Sequence, residues 1–184
     1  FMPAIAVDRG VETMTGQNIG AGKPDRAEAT NHFAAKATFV ILAALGVVVF
    51  VGAPAVMSLF TNDAAVVAEG ALFLRWVAPT FGFMGILRAY SGGFRGAGKT
   101  LTAAAIALLM FGAIRLPVAW VASQGVLPLD RWFLGSPNPQ GIWLAFTVSN
   151  VVAAAIAFAW FQRGTWRSGG LTGDDSDGDT SDTD

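Results

Sequence analysis

Residues Gly93 to Thr100 read GFRGAGKT, the spacing GxxxxGK[ST] with which backbone amides and a lysine cradle nucleotide phosphates. That chemistry needs a strand before the glycines and a helix after them. Here the preceding PTFGFMGILRAYSG ends a long apolar stretch. The segment therefore reads as a tight glycine-rich turn, with Arg95 and Lys99 anchoring it at an anionic membrane face, and no nucleotide is expected. His32 is the single histidine and has no partner at ligand spacing, and the chain has no cysteine. No nucleophile–histidine–acid set can be assembled, and no carboxylate pair falls in the apolar stretches. An enzyme, a metal site, a cofactor and a nucleic-acid partner are all unexpected.

What remains is a handful of polar side chains inside apolar runs. Arg75 lies 13 residues from Arg88, and Arg115 lies 16 from Lys99. At helical rise these are separations of roughly 20 Å and 24 Å. A charge at the centre of a spanning helix costs about 2.5–3.5 kcal/mol on insertion scales, so such residues usually face a polar interior or a water-filled cavity. The alternative is snorkelling of the long stem to the outer headgroups. Both remain open for Arg75, whereas Arg115 inclines to snorkelling. Thr80, Thr147, Ser149 and Asn150 lie at similar depth. Hydroxyls in spans mostly bond their own helix backbone. Asn150 has no such habit and is expected to bond across helices or line a cavity.

The stretches that must position these groups follow from composition. Of 184 residues 53% are hydrophobic and 14% charged, and mean hydropathy is +0.51. A soluble domain carries roughly 25% charge, so this chain is too poor in charge to cover a globule in water. A hydrocarbon core of about 30 Å needs about 20 apolar residues in a helix. Four stretches qualify, over about 33–60, 66–91, 101–123 and 141–162, and residues 1–16 or so look like the end of a helix entered part-way. Ala37 to Thr61 has no charge over 25 positions, and Gly141 to Phe161 has none. The expectation is an all-α polytopic membrane bundle over 1–167. Residues 168–184 hold six of the 13 acids and one leucine, a composition that predicts a disordered acidic tail.

Orientation follows from the basic residues. Lys23, Arg26, Lys36, Arg88, Arg95, Lys99, Arg163 and Arg167 fall on one side if the spans alternate, against Arg131 on the other. The positive-inside rule places that side, and the C-terminus, in the cytoplasm. Trp120, Trp132 and Trp143 fall near the outer boundary, and Trp160 and Trp166 near the inner one, where indole rings prefer headgroup depth. Pro54, Pro79 and Pro117 sit within three spans, where each removes a backbone donor and can kink its helix.

Five loop segments occur in order: GQNIGAGKPDRA from Gly16 to Ala27, RGAGKT from Arg95 to Thr100, RLP from Arg115 to Pro117, GIW from Gly141 to Trp143, and RGTW from Arg163 to Trp166. Together they resemble the second half of multidrug and toxic compound extrusion (MATE) transporters, over about residues 1 to 167. The resemblance implies twelve helices in two six-helix lobes around a central cavity. This chain would supply a truncated eighth helix and helices nine to twelve, and its partners would be a missing N-terminal lobe, the bilayer of the cell (cytoplasmic) membrane and small organic substrates. It further implies export of organic, often cationic, compounds in exchange for sodium ions or protons. Gly16, Gly20 and Gly22 would turn the chain after helix eight with Gln17 capping its carbonyls, and Gly96 and Gly98 would do so after helix ten. Arg75, Thr80, Arg115 and Asn150 are the candidates for the cavity.

The family's coupling-ion carboxylates sit on the first helix of a lobe or on helices seven and ten. Helix ten here carries only Glu69, near its outer end, so no ion site carries over and coupling is expected outside this chain. Lys99 stands where many relatives have an acid. Two other functions stay open: a lipid-linked oligosaccharide flippase of the same superfamily, and a non-transporting membrane scaffold.

Overall fold

A computed structural model describes residues 2–123 and 137–167, and every regular element among them is helical. Helix α1 spans Met2–Gly20 and α2 spans Pro24–Val51. Between them Gly22 takes φ +69°, the Lys23 amide bonds the Asn18 carbonyl at 2.8 Å, and the Gly22 amide bonds Ile19 at 2.9 Å. This pair of bonds ends a helix on a left-handed residue. Pro24 then opens α2 at a position where the missing N–H costs nothing. The same closure recurs after α5: Gly98 has φ +74°, with Lys99 bonding Phe94 and Gly98 bonding Arg95.

The prolines set the interruptions. The stretch expected over 33–60 divides at Gly52, and Pro54 opens a short helix α3, Ala53–Ser58. Asp63 caps α4, Ala64–Val77, by accepting from the Ala65 amide at 2.8 Å and the Val66 amide at 3.3 Å. Pro79 withdraws an amide, and residues Ala78–Thr80 wind as one 3-10 turn before α5, Phe81–Gly96. Helix α6, Thr100–Leu108, passes into a π-helical segment, Leu109–Arg115, and then α7, Leu116–Ser123. The widened winding sits where Pro117 removes the donor that the Ala113 carbonyl would use. Helix α8 spans Pro137–Gln162.

Among the described residues four stretches are long and apolar enough to cross a membrane: Pro24–Val51, Ala64–Gly96, Thr100–Ala122 and Ile142–Gln162. Their outward residues are apolar, among them Val40, Ile41, Val48, Leu101 and Leu108, which suits hydrocarbon as the surrounding medium. Helix α5 is central and packs on α1, α2 and α8. The core gathers Leu87, Tyr90, Phe94, Ile106, Met110 and Phe161.

Trp166, expected at the inner boundary, turns into the bundle. It is 1% exposed, stacks on Phe161 at 4.7 Å, and donates its Nε1 hydrogen to the Phe161 carbonyl. The reason is the turn after α8, which folds the ring back under the bundle at Gly164, φ +70°. Arg167 then pairs with Asp25 at 2.9 Å and with Glu28, tying this turn to the start of α2. Trp120 is exposed, and Trp143 packs edge-on against Phe73. Arg131, Trp132 and the acidic stretch 168–184 lie outside the described residues.

Candidate functional site

A cavity of about 510 Å³ runs between α4, α5, the α6–α7 helix and α8. Its wall is mostly apolar, with Phe73, Met84, Leu87, Ile106, Met110 and Phe146 among the lining residues, and its polar groups are Arg88, Ser91, Arg95, Arg115 and Asn150. Because it touches both Phe81 and Arg95 of one helix, it extends roughly 20 Å along α5.

Two of the four expected cavity residues, Arg115 and Asn150, line it at one end, and the buried Thr80 is bonded to Asn150. Arg115, at the close of the π segment, donates from Nε to Ser149 Oγ at 2.9 Å and from Nη2 to Asn150 Oδ1 at 3.1 Å. Asn150 in turn donates from Nδ2 to Thr80 Oγ1 at 3.0 Å. The Arg115 guanidinium also lies over two rings, 4.2 Å from the centroid of Phe146 and 4.8 Å from that of Phe111. Arg115 thus turns inward and does not snorkel, because Ser149, Asn150 and two aromatic faces offer a charge more there than an outward path would. Asn150 bonds across helices, to elements on both sides of α8. Arg75 is half-buried on α4 and does not line this cavity.

The same network absorbs the break at Pro79. The Trp76 carbonyl accepts from Thr147 Oγ1 of α8 at 2.8 Å, and the Val77 carbonyl accepts from Thr80 Oγ1 at 2.8 Å. Side-chain hydroxyls thus bond the two carbonyls just before the interruption. The two irregular windings, at 78–80 and 109–115, are joined to each other through α8.

At the cavity's other end lies a charge cluster that the sequence reading left out. Asp8 of α1 is 4% exposed, and its carboxylate accepts from Arg95 Nη2 at 2.5 Å and stands 3.8 Å from Arg88. Glu12 accepts from Arg95 Nε at 3.1 Å and pairs with Arg9 at 3.5 Å. Arg95 therefore joins α5 to α1, in place of anchoring a loop at the membrane face. The signal was present as spacing: acids four apart on one helix, arginines seven apart on another, each set on one helical face. Nothing in the sequence paired the two faces.

The glycines divide by role. Gly22 and Gly98 make the turns through positive φ. Gly16 and Gly96 lie inside helices at the α1–α5 crossing, where a side chain on Gly96 would strike the Glu12 carbonyl and one on Gly16 would come within 3.2 Å of the Gly96 carbonyl. Gly20 has open space around it. Gln17 is exposed, and its backbone carbonyl accepts from Ala21. His32 meets Tyr90 Oη at 2.8 Å, beside Phe158 and Phe161.

A family description named MatE matches residues 1–121, most of the chain. The chain belongs to the MatE family. Among relatives of this MatE chain, the probable multidrug resistance protein YpnP of Bacillus subtilis is 27% identical over 167 residues, covering 91% of the chain and 35% of YpnP. The probable multidrug resistance protein NorM of Thermotoga maritima is 22% identical over 167 residues, covering 90% and 34%. The MATE transporter ClbM, solved in complex with Rb+, has the same fold, with TM-score 0.78 and 24% identity over 90% of this chain and 37% of ClbM. An inward-facing multidrug resistance MATE family transporter of the MOP superfamily matches with TM-score 0.75 and 19% identity, covering 89% and 36%. This MatE chain spans about a third of the length of these proteins. With its apolar helices, that membership makes it a multi-pass membrane protein.

Proposed function

We propose that these residues form part of the C-terminal lobe of a secondary active antiporter in the cell membrane, exporting organic compounds in exchange for sodium ions or protons. The observation that carries the reading is the cavity bordered by two interrupted helices on a MatE fold. Interruptions at membrane depth are tolerated where they border a cavity, and they give a helix a place to bend. The cationic turns face the cytoplasm in this reading, and so does the segment after α8. Its partner is a second lobe of the same polypeptide. The coupling carboxylate lies outside these residues, since Asp8 and Glu12 are already engaged by Arg95.

The test is efflux from vesicles containing the full-length protein, with imposed sodium or proton gradients and a panel of fluorescent organic cations, zwitterions and anions. Gradient-dependent movement of any of them supports the antiporter. Movement that ignores both gradients, or none for the whole panel, overturns it.

A further inference from the structure

The two ends of the cavity are unlike in charge. At one end Arg95 and Arg88 face Asp8, and Arg95 shares Glu12 with Arg9, so each of those arginines has a carboxylate beside it. At the other end Arg115 bonds only the neutral Ser149 and Asn150, and among the described residues no carboxylate lies within ion-pair distance of it. A guanidinium has more N–H donors than these two bonds use. Ser149 and Asn150 fix its plane, and Phe111 and Phe146 cover its faces, so what the cavity meets is a rigid, uncompensated cationic fork. Such a fork matches the paired oxygens of a carboxylate or a phosphate. Between Arg115 and Arg88 the wall, from Phe146 through Met110 and Ile106 to Leu87, is apolar over roughly 10 Å of α5.

We infer that the cavity takes an amphiphile bearing a carboxylate or phosphate, with that anionic group on Arg115 and the apolar body laid along α5. The inference rests on the transporter reading for its purpose but not for its test, because binding is measured at equilibrium without a gradient. It also names how the ligand acts on the fold. Arg115 closes the π segment and reaches Thr80 of the 3-10 turn through Asn150, so a ligand that draws on Arg115 pulls on both interruptions together.

The test uses the full-length protein in neutral phosphatidylcholine nanodiscs, with decyl phosphate and its cationic counterpart decyltrimethylammonium as probes. Decyl phosphate is expected to bind at least about tenfold more tightly, as a charge-assisted pair in a partly dry site allows. Arg115→Gln removes that preference, Arg115→Lys keeps part of it, and Arg75→Gln leaves it unchanged. Should Arg115→Gln fail to fold, the wild-type protein still decides the matter: phenylglyoxal modifies Arg115, and decyl phosphate protects it, as read by mass spectrometry. Nanodiscs carrying phosphatidic acid as their only anion separate the sources. Competition by the bilayer phosphate means entry from the lipid, and its absence means entry from water, each supporting the site. Equal binding of the two probes, Arg115→Gln within twofold of wild type, or an Arg115 adduct unaffected by decyl phosphate overturns the inference. Gradient-driven efflux alongside any of these results leaves the antiporter standing, whereas Arg115-dependent binding without efflux removes the antiporter and keeps the site.

Discussion

At its C-terminal end α5 meets α1 backbone to backbone, through glycines and ion pairs; at its N-terminal end it meets α8 through a bent turn, a chain of hydroxyl and amide groups, and a guanidinium that has no carboxylate beside it among the described residues. The first arrangement commits both of its carboxylates to arginines. Gly92 and Gly96 bring α1 so near that a side chain at either would strike the backbone of Asp8 or Glu12, and both of those acids are engaged by arginines. The second leaves a cation, spare donors and two weakened helices around one cavity. The difference teaches that charge at membrane depth can weld two helices or wait for a partner, and that the counter-ion decides which.

Breaking the tight crossing is expected to have the largest effect. Gly96→Val forces the helices apart at the Glu12 carbonyl, a backbone contact that cannot yield, and should cost about 3 kcal/mol. It would be seen as a loss of folded, monodisperse protein and a much lower melting temperature in detergent. Asp8→Ala comes next. It takes away the carboxylate beside Arg88 and leaves Arg95 to Glu12, and the loss should approach about 3 kcal/mol because the carboxylate is buried. Glu12→Ala, on a half-exposed partner, should cost under about 1 kcal/mol, and the pair of melting temperatures separates the two acids.

At the opposite end Asn150→Ala removes the bridge between Thr80 and Arg115. A stability loss of about 1–2 kcal/mol is expected, with transport falling by more than that loss explains. If transport tracks melting temperature alone, the two ends do not differ in kind and the comparison fails. The smallest effect belongs to the turns. Gly98→Ala, at φ +74°, should cost about 1 kcal/mol. Gly20→Ala, with open space and no positive φ, should be neutral or stabilising by a few tenths of a kcal/mol.

These contrasts also mark what could be read from the residues alone. The apolar runs named four stretches that the structure winds as long helices, because hydrocarbon leaves a lone chain little besides a helix. Pro79 and Pro117 named the interruptions, since a missing amide acts locally. Asn150 was legible as a cross-helix group because its side chain has no habit of bonding its own helix. Arg115 was not, because the choice between headgroups and interior depends on Ser149, Asn150 and Phe146, more than 30 residues away. Asp8 was missed for the same reason. Nothing near it in sequence shows that α5 brings two arginines to it. Trp166 followed its neighbour Phe161 into the core, a stacking that depends on the turn at Gly164.

These 184 residues hold no cysteine, so thiol accessibility, on a full-length background with any other cysteine replaced, is the most direct test that the cavity is the working region and the crossing is not. Ser91 lines the cavity, and Ala89, two residues away on the same helix, is 0% exposed. In vesicles holding the full-length protein, Ser91→Cys should react with an aqueous maleimide at a rate that changes when substrate and an ion gradient are supplied, while Ala89→Cys stays unreactive throughout. A Ser91→Cys that is inert in every state, or two sites that label alike, would contradict the account.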